Sequence, residues 1–300
     1  MIRHLLVPLD GSPLAEAALP AASLLAERLH AKVTLLHAIE RNPPSEVHGQ
    51  AHLRSQAEAE AYLAAKAAAF PPGVEVERHV HTAEVDDVAR SIADHAGELD
   101  QDLIVMCSHG RGKALHLLLG SIAQKITSLG RCPVLLTRPD EAGQPAPFAC
   151  DPMLLPLDDD PDHAQALPVA LDLAAACSSR LLLATVVPGF HDLAGQRAVT
   201  SRFLPGATVR LLDLAVAQAQ ERLALQVQTL AESGVQAAGR ILRGDPAKAI
   251  VDLAEEFKAG VIVMATHGST GLAALLEGRV AHKVCSLTRT PLLLVPVRKG

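Results

Sequence analysis

A chain of 300 residues is long enough for two domains, and its 49% hydrophobic and 20% charged composition supports a sizeable core and excludes an intrinsically disordered chain. Aromatic residues make up only 2% of the chain, which argues against a protein that grips single-stranded nucleic acid by base stacking. The formal net charge of −6 argues against a general DNA-binding protein, so we expect no nucleic-acid partner.

The beginning of the chain predicts a buried strand and neither a signal peptide nor a membrane anchor. The apolar run 5–9 is too short for either and meets Asp10 at once. The five scattered cysteines form no CxxC pair, which is typical of reduced thiols in a cytoplasm. We therefore expect a cytoplasmic protein with no membrane partner.

The chain contains an internal duplication. Residues 5–20 match residues 153–168 at eight of sixteen positions, and residues 120–137 match 278–295 at nine of eighteen. The segment between the repeats is rich in Pro, Gly and Ala and has no periodicity. We expect a first domain over 1–139, a linker over 140–150 and a second domain over 151–300.

Each repeat alternates short apolar runs with segments of helical periodicity. The apolar runs predict five strands per repeat, at 5–9, 33–38, 74–81, 103–106, 134–137, 153–157, 181–187, 236–242, 261–264 and 292–295. The more polar run 74–81 is expected near a sheet edge. Helical spacing appears, among other places, at 15–29, 53–68, 85–96 and 211–233. Strands of this kind between helices predict an α/β fold, with two tandem five-stranded parallel sheets covered by helices on both faces.

The first strand ends in a carboxylate that has two interpretations. Asp10 lies at the carboxyl end of the strand, where ligands bind in doubly wound folds, so it can reach a sugar hydroxyl or a base of a ligand. It can equally be a turn or capping residue, because Ser12 and Pro13 are suited to begin a helix. Asp158 repeats the position in the second half.

The segment after the fourth strand of the first repeat carries the clearest signal for an anion site. Gly110 permits a tight turn, and Gly120 and Ser121 open a helix whose first N–H groups suit a phosphate. The alternative is an ordinary helix cap after a flexible loop. The spacing is not that of a P-loop, and the first strand is not followed by a Rossmann glycine motif. Basic residues lie nearby in sequence at Arg111, Lys113 and Lys125.

Together these motifs resemble the universal stress protein family. The resemblance rests on a first strand ending in Pro-x-Asp, a fourth strand ending in Ser-His-Gly, nine residues, Gly-Ser and a last strand Pro-Val-Leu-Leu, and it covers 1–139 and 151–297. It implies a flavodoxin-like sheet of the adenine nucleotide alpha hydrolase-like type. In one subgroup the family binds ATP through Gly-x-x-Gly-x9-Gly-Ser/Thr, and another subgroup lacks the motif and binds none.

The resemblance assigns site residues position by position. In the first half it implies a nucleotide site at Pro8, Leu9, Asp10, Ala38, Cys107, His109, Gly110, Gly120 and Ser121. In the second half the equivalents are Pro156, Asp158, Val186, Ala265, His267, Gly268, Gly278 and Arg279. The first motif glycine is Cys107 in one half and Ala265 in the other, and Arg279 replaces the Ser/Thr, so that it either pairs with a phosphate or fills the site. We therefore expect ATP, with or without Mg²⁺, in at least the first half.

Two other kinds of chemistry have weaker support. His79 and His81 share one strand face, but no further ligand is spaced to complete a zinc site, so we predict solvated histidines and no metal. Cys107 is either a reactive thiol beside a helix terminus or a small space-filling residue. His109 and His267 either contact phosphate, act as proton carriers or hydrogen-bond the loop backbone.

The expected function is a stress-response regulatory protein that binds adenine nucleotide, with no catalytic machinery evident. The alternatives are an interaction scaffold with degenerate pockets and a slow ATPase. An ATP pyrophosphatase would carry an SGGxDS-like loop after the first strand, which this sequence lacks. The family resemblance also implies that fifth strands pair between domains. Here they would pair within one chain as a pseudo-dimer, or between chains in a homodimer.

Overall fold

The computed structural model describes residues 2–41, 46–47, 50–108, 120–130, 132–140, 143–190, 203–266 and 279–297. Within these ranges no helix has the length and hydropathy needed to cross a membrane. The five strands of each repeat confirm the sequence prediction, with ends that differ by at most four residues. In chain order the first-half strands are β1 His4–Pro8, β2 Lys32–Glu40, the two-residue strands β3 Glu46–Val47 and β4 Gln50–Ala51, β5 Val76–Val85, β6 Leu103–Cys107 and β7 Val134–Thr137. Those of the second half are β8 Met153–Pro156, β9 Leu181–Val187, β10 Ala237–Arg243, β11 Val261–Thr266 and β12 Leu292–Pro296.

Ten of these strands form one sheet rather than two separate ones. Their order is β10-β9-β8-β11-β12-β7-β6-β1-β2-β5, while β3 and β4 pair only with each other. Each half is parallel throughout, as expected, and the halves meet where β7 and β12 pair antiparallel, with Leu135 opposite Leu293. The last strands of the two repeats therefore pair within one chain, and the polar strand β5 lies at an edge of the sheet.

The strand order places a ligand cleft in each half. Counted within a half, the order is 3-2-1-4-5, and the chain progresses in opposite directions on the two sides of the boundary between the first and fourth strands. In the first half this boundary separates β1 from β6, and in the second half it separates β8 from β11. The loops leaving these strands diverge at their carboxyl ends, which opens a crevice there.

Helices cover both faces of the sheet. The first half has α1 Pro13–Glu16, α2 Leu19–Leu29, α3 Gln56–Ala67, α4 Val88–Glu98 and α5 Ser121–Leu129. The second half has a 3-10 helix Pro161–Gln165, then α6 Ala166–Cys177, α7 Pro205–Glu232, α8 Pro246–Glu256 and α9 Arg279–Leu287. The single helix predicted over 15–29 is broken into α1 and α2, because Pro20 lacks the N–H that would continue the helical ladder and is tolerated only in a first turn.

The hydrophobic core runs through both halves on each face of the sheet. On one face a single cluster contains Leu5 of the first repeat with Leu155 and Leu293 of the second. On the other face a second cluster contains Leu6 and Leu154. Helices α2 and α6 also contact each other across the halves, and the guanidinium of Arg138 donates to the carbonyl of Cys285. On each face of the sheet, the two repeats therefore share a core cluster.

Candidate functional site

The first cleft lies at the carboxyl ends of β1, β2 and β6, below the N-termini of α4 and α5. It encloses about 900 Å³, part of it open to solvent, which is within the range of small-molecule sites. The predicted site residues that line it are Pro8, Leu9, Asp10, Ala38, Cys107, Gly120 and Ser121. The predicted residues His109 and Gly110 lie outside the described residues. The structure thus brings together residues that are more than a hundred positions apart in sequence.

Asp10 has both of the roles that the sequence left open. Its Oδ1 accepts a hydrogen bond from the backbone N–H of Ser12 at 2.9 Å, which makes it a turn residue. The Ser12 hydroxyl in turn accepts from the N–H of Ala15 at 3.2 Å and caps α1. Asp10 also lines the cleft, and a carboxylate that accepts one hydrogen bond retains acceptor capacity for others. The turn therefore fixes this carboxylate at the cleft wall.

His37 is a cleft residue that the sequence analysis missed. It lies within the buried strand β2, and its Nδ1 donates to the carbonyl of Leu9 at 2.7 Å. Burial lowers the pKa of His37, so the ring is neutral at physiological pH. Its Nε2 is buried without a hydrogen-bond partner among the described residues. The signal in the sequence was a lone histidine in an otherwise apolar strand, which is usually a satisfied core residue.

One part of the cleft is apolar. Its walls include Leu36 and Ala38 from β2, Val88 and Ile92 from α4, and Met106 from β6. These side chains come from three elements and form a slot suited to a flat apolar ring system. Three of these side chains belong to the buried strands β2 and β6, which fix the position of the slot.

Cys107 fills space at the base of the same cleft. The residue is 2% exposed, and burial raises the pKa of its thiol to about 12. A thiol with this pKa stays protonated and is a poor nucleophile at neutral pH. The structure therefore supports the space-filling interpretation over the reactive one.

The N-terminus of α5 also lines the cleft. Gly120 is the N-cap residue and has no side chain with which to cap the helix, whereas α3 and α4 are capped by Ser55 and Asp87. The first helical hydrogen bond runs from the N–H of Gln124 to the carbonyl of Gly120, so the intervening N–H groups have no acceptor within the helix. Because Gly120 and Ser121 line the cleft, this positive helix end is suited to an anion.

Lys125, considered above as a phosphate-binding group, has a different partner. Its Nζ lies 2.5 Å from Oδ2 of Asp87, the residue that caps α4. In the second half Lys283 and Asp245 repeat the pair at 3.4 Å. The repeated lysine therefore joins two helices in each half. The described lining of the first cleft contains the carboxylates of Asp10 and Glu40 and no Lys or Arg side chain.

The second cleft occupies the equivalent place in the second half and encloses about 830 Å³, part of it open to solvent. The predicted site residues that line it are Pro156, Asp158, Val186 and Ala265. Arg279 begins α9, at the position that Ser121 has in α5. The predicted residues His267, Gly268 and Gly278 lie outside the described part of the chain.

Asp158 of the second cleft is held by a histidine that the sequence analysis also missed. Nδ1 of His163 lies 2.7 Å from Oδ2 of Asp158, and both residues line the cleft. The hydrogen bond to Asp158 raises the pKa of His163. Burial alone would raise the pKa of Asp158, but the bond to His163 and its charge lower it. The contact therefore favours the charged forms of both groups.

The expectation that His79 and His81 lack a third metal-ligand partner was wrong. His95 of α4 packs against both rings, with ring centroids 4.9 Å from His79 and 4.7 Å from His81. Metal-ligand spacing in a sequence reveals ligands that are close together in the chain. His95 lies in the helix that follows the strand, so it meets His79 and His81 only when the helix packs on the sheet.

Comparison with known proteins identifies the family. A profile of the universal stress protein family matches residues 1–138 and 150–296. Universal stress proteins of Methanocaldococcus jannaschii, Synechocystis sp. and Mycobacterium bovis are 38, 33 and 26% identical to the chain over 90, 139 and 199 residues. These regions cover 30, 45 and 65% of this chain. They span 53% of the Methanocaldococcus protein, 85% of the Synechocystis protein and 62% of the Mycobacterium protein.

Solved structures show the same fold over almost the whole chain. A Pseudomonas aeruginosa protein described as functionally unknown has a TM-score of 0.72 at 20% identity, covering 99% of this chain and 93% of its own. A universal stress protein from Archaeoglobus fulgidus has a TM-score of 0.64 at 16% identity, covering 98% and 96%. With the profile matching two copies that together account for most of the residues, the chain belongs to the universal stress protein family, as a tandem member.

Proposed function

We propose that the protein binds an adenine nucleotide, ATP, in the first cleft and acts as a cytoplasmic stress-response regulator. The observation that carries the proposal is that one cleft is lined both by an apolar slot and by the N-terminus of α5, whose N-cap residue Gly120 has no side chain. An apolar slot suits a base, and a helix N-terminus suits a phosphate. A nucleotide combines these two chemistries in one molecule.

A further group that lines the cleft fits the remainder of a nucleotide. The carboxylate oxygens of Asp10 can accept hydrogen bonds from ribose hydroxyls.

We propose that the second cleft binds nucleotide more weakly than the first. Its carboxylate Asp158 already forms an ion pair with His163, and Val186 narrows the position that Ala38 leaves open in the first half. Arg279 replaces the serine at the start of the helix. The second cleft is therefore better suited to a structural role. For this repeat alone, the proposal agrees with the alternative of an interaction scaffold with a degenerate pocket.

The proposed role is binding and regulation rather than ATP turnover. Asp10 lies beside the turn at the end of β1 and is assigned to the ribose, so it is not available as a metal-binding or basic group at the terminal phosphate. Mg²⁺, where present, would accompany the phosphates.

We also propose that the chain divides into a first domain over 1–139 and a second domain over 151–300, as the internal repeat indicates.

Equilibrium dialysis with labelled ATP tests the proposal on Gly120→Asp, with Gln124→Glu as matched control. Both variants add one negative charge to α5, but Gln124 is exposed and does not line the cleft, whereas Gly120 does. A carboxylate placed against phosphate should weaken binding at least about tenfold, because like-charge contacts cost several kcal/mol. The control should bind as the wild type does.

Two results would overturn the proposal. One is an unchanged ATP affinity in a folded Gly120→Asp protein, with folding checked by circular dichroism. The other is the absence of saturable binding to the wild-type protein at millimolar ATP, which would favour the scaffold alternative.

A further inference from the structure

We propose that His79, His81 and His95 form a binding site for a divalent transition-metal ion, with Zn²⁺ as the matching ion. The three side chains each offer one ligand nitrogen, and these atoms lie within 4.8 Å of one another. Two of them come from strand β5 and the third from helix α4, so the site lies outside the first cleft.

The strand and the helix place the three rings on one side of the sheet edge. His79 and His81 are two residues apart on β5 and therefore point to the same face. His95 approaches them from α4 with ring centroids at 4.9 and 4.7 Å. Around Zn²⁺ with Zn–N distances of about 2.0–2.1 Å, ligand nitrogens are roughly 3.4 Å apart, so closure needs ring movements of about an ångström.

His95 is already oriented as a metal ligand. Its Nδ1 lies 2.7 Å from the carbonyl oxygen of Ser91, which can only accept, so Nδ1 carries the proton. This leaves the lone pair of a neutral ring on Nε2. A metal-bound histidine typically has its second nitrogen bonded to a backbone carbonyl or carboxylate in this way. His95 is 6% exposed, and its ring is therefore held in place by packing.

The other two rings are half-buried. Because both rings keep some solvent exposure, a water molecule or an external group can complete the coordination of an ion held by three histidines.

The second repeat shows that the fold does not require these histidines. Asp87 and Asp245 occupy equivalent positions, since each caps its helix and pairs with the repeated lysine. The same offset of 158 residues relates His95 to Leu253, which is 2% exposed. The helix position is thus filled by an ordinary core residue in the other half.

The strand positions show the same difference. His79 lies opposite Leu36 in the sheet, and the equivalent residue opposite Ala184 in the second half is Arg240. By the same register, His81 corresponds to Leu242. Three imidazoles in one repeat therefore replace an arginine and two leucines in the other, and packing alone does not explain the choice.

The ligand set favours late first-row ions. Three imidazoles without thiolates suit Zn²⁺, Cu²⁺, Ni²⁺ or Co²⁺, whereas Mg²⁺ and Ca²⁺ prefer oxygen ligands. The site would tie the edge strand β5 to α4. Residues Val88 and Ile92 of the same helix line the first cleft, so the ion would stabilise a helix that also forms a cleft wall.

The test is calorimetric titration of Zn²⁺ into tag-free protein stripped with a chelator. The chain contains 14 histidines, so the variants must separate the site from background binding. His95→Leu and His81→Leu reproduce the residues of the second repeat and should therefore fold. His282→Gln removes an exposed histidine outside the cluster and serves as the control.

We expect one Zn²⁺ site in the wild-type and control proteins. In His95→Leu the Zn²⁺ affinity of this site should fall at least about 100-fold, because loss even of an outer-shell group typically costs 10–100-fold in metal affinity. Thermal denaturation gives a second readout, because an ion that binds only the folded state raises Tm in the wild type and not in the variant. Equal Zn²⁺ affinity, or an equal rise in Tm, in folded His95→Leu would overturn the proposal. If His95→Leu fails to fold, His79→Arg, which copies Arg240, is judged by the same two measurements.

Discussion

Replacing Leu293 by alanine should destabilise the half of the molecule that does not contain it. Leu293 is fully buried in β12, opposite Leu135 of β7, and belongs to a core cluster with residues of both repeats. Leu-to-Ala changes in buried cores cost between about 2.7 and 5.0 kcal/mol, and a site enclosed on all sides relaxes little. We therefore expect a loss of about 3 kcal/mol in the free energy of unfolding.

The single tyrosine makes this prediction measurable in the first half alone. The chain has no tryptophan, and Tyr62 lies in α3 of the first repeat, so its fluorescence reports unfolding there. Circular dichroism reports the whole chain. In urea titrations both signals should shift together in Leu293→Ala, because the core crosses the junction. Leu287→Ala, at a side chain 44% exposed, should change the free energy of unfolding by less than about 1 kcal/mol.

A Tyr62 transition that does not move while the circular dichroism transition does would refute this reasoning. It would mean that the two repeats unfold independently and that the β7–β12 junction contributes little to stability.

Three further predictions concern single side chains. Gly260→Ala should destabilise the fold by about 1–3 kcal/mol in urea titrations, because the added Cβ would lie 2.3 Å from a backbone carbonyl oxygen; an unchanged midpoint would contradict this packing. NMR titration should place the pKa of His163 above 6.5, and Asp158→Asn should lower it. Since the folded pKa of His163 lies above 6.5 and that of Asp158 below 3.8, the pair stabilises the fold fully between pH 3.8 and 6.5, less as pH rises through the pKa of His163, and less as pH falls through that of Asp158. Iodoacetamide should label Cys177, whose pKa is lowered by a hydrogen bond from Cys150, faster than Cys107, and the reverse order would refute the burial argument.

The strands and the position of the cleft could be predicted from sequence because both depend on local patterns. Apolar runs between helical segments fix a parallel sheet, and the carboxyl ends of its strands are where Asp10 and Gly120 lie. The repeat allowed the same prediction to be made twice. Local patterns do not show which strands pair between the two repeats. The pairing of the last strands was predicted only from the resemblance to a known family.

The residues that were missed depend on tertiary contacts that sequence spacing does not show. His37 belongs to an apolar strand and is notable only because its Nε2 lies buried without a partner in the described structure. His95 becomes a possible ligand only when α4 packs over β5. Lys125 was noted as a basic residue near the predicted anion site because it follows Gly120 in sequence, but its ammonium group pairs with Asp87. His95 and Lys125 contact partners in another element of the fold, and spacing along the sequence does not show those contacts.

The central claim is that the first cleft holds the nucleotide, and counting bound ATP in half-specific variants tests it most directly. Calorimetry on the wild type, Gly120→Asp and Gly278→Asp applies the same change to each repeat. We predict one strong site per chain that Gly120→Asp removes and Gly278→Asp leaves in place. A strong site that persists in Gly120→Asp, or that disappears only in Gly278→Asp, would contradict the assignment.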